Sequence, residues 1–343
     1  MATSIVDLLA VPGVRRASIE RIGEMLVPGT AAVLSTHINA DGDGCGSETA
    51  LARLLAQRGI PTRIVNPTPW PEMFSFLLGD DVVEASAKGA KSLRDAKLLL
   101  VLDISDVKRL GTLADTVRGL TVPKAVIDHH VPGDEPGAEV VLADATACAT
   151  GELIFDLACV LGLEITPAIA RSIYVALLTD TGGFRFSNTS PRCHAIAGQL
   201  LARGVDPDEM YRRIYASQSL GRVQLLRDAL ATLENDAEHG LTWLSIPAGA
   251  LERYDVRQEE LDGIAEHARS VAGTRMALFF RDLGHDAVKV SFRSTGSVDV
   301  NAFARQFGGG GHAKASGAMI PGSLTDVEAR VLVAARAFLG TGQ

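Results

Sequence analysis

Short, mostly apolar runs alternate with helix-like segments through the first half of the chain, and this alternation restricts the fold more than any other feature. The runs have strand length and lie at 31–36, 62–65, 98–102 and 124–127. Strands that are apolar along most of their length are buried on both faces, as in parallel sheets covered by helices. The sequence therefore predicts an α/β fold of the doubly wound kind, with a mostly parallel sheet.

Segments with helical period separate these runs. Apolar residues at 50, 51, 54 and 55 share one face of a predicted helix at 47–58. Two further helices are predicted at 150–161 and 168–179, and nearly all of 190–230 has helical period. A second α/β section then follows. Its predicted strands lie at 241–246, 275–281 and 287–293, its helices near 258–272, at 300–306 and at 324–339, and a glycine-rich loop precedes the last helix.

The length of the chain also favours more than one domain. It has 343 residues, whereas a typical domain has roughly 100–200. We therefore expect an N-terminal domain at 1–187, a helical linker at 188–232 and a smaller C-terminal α/β domain at 233–343.

Aspartate and histidine residues cluster where the predicted elements of the first domain end. Three follow the first strand, one follows the third, three follow the fourth, and one follows the helix at 168–179. They are His37, Asp41 and Asp43, then Asp103, then Asp128, His129 and His130, and finally Asp180. Because ligands of open α/β sheets bind beyond the carboxyl ends of the strands, these side chains are expected to converge on one edge.

Five carboxylates this close together repel one another, and divalent cations remove the repulsion. Oxygen and imidazole ligands without thiolates suit manganese, magnesium or cobalt better than structural zinc. Each motif alone has an ordinary alternative: Asp103 as a helix N-cap, Asp41–Gly44 as a solvated turn, and His129 with His130 as a loop pair. Their occurrence at four successive element ends favours a site for two metal ions.

Several other classes of protein are disfavoured. The glycines at 42–46 do not match a dinucleotide-binding fingerprint, and no Gly-Lys-Ser/Thr phosphate loop occurs. The net charge of −8 argues against long duplex nucleic acid as a partner. Four cysteines without a Cys-x-x-Cys pair, no recognisable signal segment and no apolar run of roughly 18–20 residues favour a cytoplasmic protein that does not enter the membrane.

Taken in order, the motifs resemble those of the DHH phosphoesterase superfamily. The matching patterns are His37-x-x-x-Asp41-x-Asp43-x-x-Gly46-Ser47, the single Asp103, the triplet Asp128-His129-His130, and Asp180-Thr-Gly. The string Gly308–Gly311 followed by His312 resembles the signature of the DHHA1 domain that accompanies one branch. The chain is similar to the compact branch that contains nanoRNases, 3′-phosphoadenosine-5′-phosphate (pAp) phosphatases and cyclic-dinucleotide phosphodiesterases.

The resemblance implies roles for these residues in two metal sites. One ion would be held by His37, Asp41 and Asp103, and the other by Asp43, Asp103, His129 and Asp180, so that Asp103 bridges them. Manganese is the implied metal, with magnesium or cobalt as alternatives. Asp128 would support the histidines, and His130 would lie nearer the scissile phosphate than the metals do.

The resemblance also implies that the second domain binds the substrate. The candidate substrate-binding residues are Arg185, Phe186, Arg293, Ser294, Asn301, Gly310, Gly311 and His312. Arginine presents a planar set of donors to phosphate, and glycines let backbone N–H groups approach a ligand closely. The alternative interpretation of the C-terminal string is a flexible glycine hinge with a solvated histidine.

The expected activity is two-metal hydrolysis of short oligoribonucleotides, of linear or cyclic dinucleotides such as pApA and cyclic di-AMP, or of pAp, to mononucleotides. Two alternatives remain open: a polyphosphatase or pyrophosphatase with the same metal centre, and a non-catalytic nucleotide sensor. The sequence also leaves the oligomeric state open, and the helical segment at 190–230 is a candidate surface for a homodimer contact.

Overall fold

The computed structural model divides the chain into two units, Met1–Ala216 and Ser217–Gln343, each with its own six-stranded sheet. It describes residues 4–104, 106–131, 133, 135, 137–261, 263–311 and 313–340. Both units combine helices and strands, which confirms the predicted α/β class. None of the helices in the described part of the chain is long and apolar enough to cross a membrane.

The sheet of the first unit is parallel throughout. Its strands are β1 (Ala32–Ser35), β2 (Thr62–Ile64), β3 (Val83–Glu84), β4 (Leu98–Leu102), β5 (Lys124–Asp128) and β6 (Val140–Ala143). They are arranged in the order β3-β2-β1-β4-β5-β6. The two edge strands were not predicted from the sequence, because β3 has two residues and β6 buries only alternate side chains.

Helices cover both faces of this sheet. They are α1 (Ile5–Leu9), α2 (Gly13–Met25), α3 (Gly42–Gln57), α4 (Ala114–Gly119), α5 (Thr150–Leu161), α6 (Pro167–Asp180), α7 (Pro191–Leu201) and α8 (Pro207–Tyr215), with 3₁₀ turns at Glu72–Leu77, Ser86–Leu93 and Val107–Leu113. Alternate residues of β4 supply two separate cores. Leu98, Leu100 and Leu102 pack in the core that contains α3, α5 and α6, whereas Leu99 and Val101 pack on the opposite face.

Helix α3 begins at Gly42, five residues before the predicted start. Asp41 is its N-cap, and its Oδ1 accepts hydrogen bonds from the backbone N–H groups of Asp43 and Gly44. The glycines at 42–46, which lie outside the predicted helix at 47–58, are therefore helical. Their function is close packing, since a Cβ at Gly46 would lie 2.4 Å from the backbone oxygen of Ser172 in α6.

The second unit has a mixed sheet in the order β11-β12-β10-β9-β8-β7. Its strands are β7 (Glu234–Asp236), β8 (Leu241–Ile246), β9 (Met276–Asp282), β10 (Ala287–Ser294), β11 (Gly310–Gly311) and β12 (Ala315–Pro321). Strands β8 and β9 are parallel, and the other neighbouring pairs are antiparallel. Its helices are α9 (Leu220–Ala231), α10 (Ala250–Tyr254), α11 (Ile264–Arg269), α12 (Val300–Arg305) and α13 (Leu324–Leu339), with a 3₁₀ turn at Gln258–Leu261.

Two predictions for the second unit were wrong in detail, and one strand was missed. The predicted helix near 258–272 is interrupted at Gly263, whose φ of 85° is incompatible with a continuous helix. The glycine-rich segment includes the short strand β11, because Gly310 and Gly311 pair with β12. Strand β12 itself was missed, since it contains only one β-branched residue, Ile320, among its seven.

Candidate metal centre

The eight predicted acidic and histidine side chains lie at one edge of the parallel sheet. His37 follows β1, Asp103 follows β4, and Asp128 ends β5 immediately before His129 and His130. Asp41 and Asp43 lie at the start of α3, and Asp180 is the last residue of α6. The parallel direction of the strands brings their carboxyl ends to the same side, as the sequence analysis expected.

One group of potential ligands surrounds His37. Its Nε2 atom lies 3.3 Å from Oδ2 of Asp103 and 3.7 Å from Oδ2 of Asp41. Its Nδ1 atom lies 2.9 Å from the backbone oxygen of Ile38. A proton on Nδ1 donates to that carbonyl, so that Nε2 is the ring nitrogen available to a cation once it loses its own proton.

A second group surrounds His129. Its Nε2 atom lies 3.6 Å from Oδ2 of Asp43, 3.5 Å from Oδ2 of Asp180 and 3.5 Å from Oδ1 of Asp103. Asp103 therefore presents a different oxygen atom to each group. Its backbone is left-handed, with φ of 61°, a conformation that aspartate tolerates better than bulkier residues.

The arrangement fits divalent cations. The Nε2 atoms of His37 and His129 are buried and have no hydrogen-bond partner among the described residues. A buried polar atom without a partner is costly unless something binds it. The potential ligand atoms of His37, Asp41 and Asp103 lie within 4.8 Å of one another, and so do those of Asp43, His129 and Asp180. Carboxylate oxygens and imidazole nitrogens suit manganese, cobalt or magnesium, and none of the ligand atoms is a thiolate.

Family comparisons agree with this architecture. The model described as "DHH family, N-terminal domain" matches residues 32–178, and the "DHHA1 domain" model matches residues 245–341. A Thermus thermophilus protein named "Bifunctional oligoribonuclease and PAP phosphatase NrnA" is 32% identical over 314 residues, 88% of each chain. The chain belongs to the DHH family. A Bacillus subtilis protein of the same name is 28% identical and covers 84% of this chain.

A solved structure shares the whole fold of this DHH-family protein. It is that of an exopolyphosphatase-related protein from Bacteroides fragilis, with a TM-score of 0.87 and 25% sequence identity. The match covers 96% of this chain and 99% of that one. It therefore extends over both the DHH and the DHHA1 domains.

Asp128 and His130 form a pair beside the metal ligands of the DHH domain. Oδ1 of Asp128 lies 2.7 Å from Nδ1 of His130 and accepts a hydrogen bond from the backbone N–H of the same residue. The hydrogen bond with Asp128 raises the pKa of His130. Asp128 is fully buried, whereas 43% of the His130 side chain is exposed. His130 is thus oriented by a buried carboxylate while its ring remains accessible.

Protonation compensates part of the charge in this cluster. Burial raises the pKa of Asp180 to about 7, with a contribution from the neighbouring carboxylate of Asp43. Burial and Asp43 likewise raise the pKa of Asp103. Burial lowers the pKa of His37, but Asp103 and Asp41 outweigh it and raise the value to about 10. The DHH domain thus retains protons that a bound cation would replace.

We expect the metal-free protein to lose stability as the pH rises. The pKa of Asp180 is near 4 in the unfolded chain and about 7 in the folded protein, and that of His37 is near 6.5 and about 10. Within each of these two pH ranges the folded state binds more protons than the unfolded chain, so its stability falls as the pH rises. Melting temperatures measured in chelator should therefore be lower at pH 8.5 than at pH 6. Manganese should raise the melting temperature more at pH 8.5, since its ligands must be deprotonated. An equal or larger manganese effect at pH 6 would contradict this expectation.

The predicted substrate-binding residues are divided between the two units. Arg185 and Phe186 follow Asp180; Nε of Arg185 donates to the backbone oxygen of Gly182, and 51% of Phe186 is exposed. In the DHHA1 domain, Arg293 donates to Glu266 at 3.0 Å and the Ser294 hydroxyl donates to the backbone oxygen of Val298 at 2.8 Å.

The glycine-rich strand of the DHHA1 domain is held by a side chain. Oδ1 of Asn301 accepts a hydrogen bond from the backbone N–H of Gly311, and Gly310 and Gly311 are exposed. His312 lies outside the described residues. Asn301 therefore has a defined structural role beside the predicted nucleotide-binding segment.

Sequence reasoning missed Thr150, which contacts two of the metal-ligand candidates. Its backbone N–H donates to Asp43 and its hydroxyl donates to Asp103. One signal was present: the helix predicted at 150–161 follows Ala149, a residue that cannot cap a helix with its side chain. A helix without a local cap calls for a partner from elsewhere in the fold.

Proposed function

We propose that this DHH-family protein is a metal-dependent phosphoesterase that hydrolyses short oligoribonucleotides, dinucleotides or pAp to mononucleotides. The observation that carries the proposal is the position of Asp103 between two ligand groups, one at His37 and one at His129. Two cations that share a carboxylate are suited to phosphoester hydrolysis. The names of the Thermus and Bacillus relatives support the nucleotide class of substrate.

The proposed reaction uses the residues of the DHH domain in distinct roles. Bound cations would lower the pKa of a coordinated water and neutralise charge on the phosphoryl oxygens. His37, Asp41, Asp43, Asp103, His129 and Asp180 would hold them. Asp128 orients His130, and a protonated His130 would donate a hydrogen bond to a phosphoryl oxygen as negative charge builds there. We propose manganese as the preferred ion.

We further propose that residues 1–187 form the domain that hydrolyses the phosphoester and that residues 233–343 form the domain that binds the nucleotide. Residues 188–232 would be the helical linker between the two domains. Arg293 and Ser294, at the end of β10, and Asn301 with Gly310 and Gly311 are the proposed contacts in the DHHA1 domain. His312 and, from the first domain, Arg185 and Phe186 complete the proposed set. In an exposed glycine segment, the backbone can approach phosphate oxygens or base edges closely and donate hydrogen bonds to them.

A second candidate function is hydrolysis of polyphosphate or pyrophosphate at the same metal centre. It is favoured by the similarity to the exopolyphosphatase-related protein of Bacteroides fragilis. A non-catalytic nucleotide sensor is the third alternative. Loss of a metal ligand would favour a sensor, but all six predicted ligands are present in this chain.

A substrate panel tests the proposal. The purified protein is incubated with manganese and, separately, with pAp, pApA, cyclic di-AMP, polyphosphate or pyrophosphate, and the products are separated by chromatography. Release of mononucleotides from a nucleotide substrate would support the proposed function. Turnover of polyphosphate or pyrophosphate alone would establish the second candidate, and binding of nucleotides without turnover would establish the sensor.

Among RNA substrates, we expect two- to four-nucleotide chains to be hydrolysed at least roughly ten times faster than a twenty-nucleotide strand. The acidic net charge of −8 provides little counterion release for a long polyanion, so added nucleotides contribute little binding energy. Initial rates at equal concentrations of 3′ ends, measured at two salt concentrations, check this. Equal rates on the dimer and the long strand would contradict it.

A further inference from the structure

Helix α5 begins without a capping side chain of its own. Its N-cap residue, Ala149, makes no side-chain hydrogen bond to the first turn. Instead, the backbone N–H of Thr150 donates to Oδ2 of Asp43 at 2.6 Å, and that of Gly151 donates to Oδ1 at 2.9 Å. A carboxylate distant in sequence therefore caps the helix, a favourable position for negative charge.

The side chain of Thr150 contacts a second carboxylate. Its hydroxyl lies 3.0 Å from Oδ1 of Asp103, and the threonine is fully buried. This is the same oxygen atom that faces Nε2 of His129 at 3.5 Å. Thr150 thus contacts both Asp43, in α3, and Asp103, which follows β4. Both carboxylates face His129.

The first turn of α5 is itself firmly held. Oε2 of Glu152 accepts a hydrogen bond from the backbone N–H of Cys148. Its Oε1 forms ion pairs with Arg15 at 2.7 Å and with Arg192 at 3.0 Å. Gly151 lets α5 approach α6 closely, since a Cβ there would lie 2.5 Å from Cβ of Ala176. The turn is therefore a fixed reference for the carboxylates that it contacts.

We propose that Thr150 is a positioning residue for the metal centre. Its hydroxyl directs Oδ1 of Asp103 toward the His129 group, while the N–H groups of Thr150 and Gly151 fix both oxygens of Asp43. The terminal torsion of an aspartate side chain is broad, so without such donors the carboxylate planes are free to rotate. The inference rests on the proposed metal-dependent activity and adds to it a residue that determines how the ligands face the ions.

The test compares manganese binding by metal-free wild-type protein and variants, using calorimetric titration. Thr150→Val preserves size and backbone donors but removes the hydroxyl, and we expect it to weaken manganese binding about 10–100-fold, the usual effect of losing a group that orients a ligand. Thr150→Ser keeps the hydroxyl and should stay within about threefold of wild type. If the valine variant does not fold, Thr150→Ala replaces it in the test, because alanine also lacks the hydroxyl.

Thr49→Val is the matched control. Thr49 is also a fully buried threonine of the first unit, but its hydroxyl bonds to the backbone oxygen of Cys45 and to Ser172, not to a proposed ligand. The Thr49→Val variant should bind manganese with wild-type affinity even if its melting temperature is lower. Circular dichroism of each variant distinguishes lost folding from lost affinity.

Two results would overturn the inference. Wild-type affinity in Thr150→Val or Thr150→Ala would show that the hydroxyl has no positioning role, and an equal loss in Thr150→Ser would show that only packing matters. Either result leaves the proposed function standing, since the titration involves no nucleotide. Absence of manganese binding by the wild-type protein would instead overturn the proposed function and this inference with it.

Discussion

Replacement of Asp103 with asparagine should reduce the rate of phosphoester hydrolysis on the order of 10³-fold or more, equivalent to about 4 kcal/mol of transition-state stabilisation. Oδ2 of Asp103 faces His37 and Oδ1 faces His129, so the change removes one negative charge from both ligand groups. Loss of a ligand from one group, as in His37→Ala, should reduce the rate less. Asparagine has nearly the same shape, so the fold should survive.

The measurement is kcat/KM on pApA or pAp over a range of manganese concentrations. Asp115→Asn is the control, because Asp115 is an exposed carboxylate of α4 that pairs with Arg118. It should behave like wild type. If Asp103→Asn retained more activity than His37→Ala, Asp103 would not act on both groups.

The second large effect separates the roles of the two domains. Asp180→Asn should reduce kcat by about 10³-fold on every substrate, because it removes an interaction needed at the transition state. Arg293→Ala should lower kcat/KM on a nucleotide about 10–100-fold, the usual effect of losing a hydrogen bond to a charged group. On bis-p-nitrophenyl phosphate, which offers little for a nucleotide-binding domain to contact, Arg293→Ala should be close to wild type.

Arg269→Ala is the control for the arginine variant. Glu266 lies between the two arginines, 3.0 Å from Arg293 and 2.5 Å from Arg269, so either change removes one of its partners. Arg269→Ala should keep wild-type rates on both substrates. If Arg293→Ala lost activity equally on the nucleotide and on the artificial ester, Arg293 would not be specific to nucleotide binding.

Much of the fold was predictable from local patterns. Strand β4 and helices α5 and α13 occupy the predicted residues, because a continuous apolar run or a clear helical period decides each of them. The edge strand β3 and the internal strand β12 were not predictable in this way. Their residues carry a weak β signal, and they become strands through pairing with β2 and β10.

The gathering of the acidic and histidine residues followed from the sequence, since each residue ends an element of a parallel sheet. The directions of the side chains did not. Asp103 presents one oxygen to each group from a left-handed backbone position, with Thr150 donating to Oδ1, and neither feature has a local sequence signal. Asp43 meets the start of α5 across 107 positions of sequence, a contact that no local pattern contains.

The most direct test of the central claim is anomalous diffraction from crystals grown with manganese. We expect two peaks in each chain, about 3.5–4 Å apart, with Asp103 between them. One peak should lie against His37 and Asp41, and the other against Asp43, His129 and Asp180. A single peak, or strong manganese peaks only at other positions, would contradict a two-cation centre bridged by Asp103.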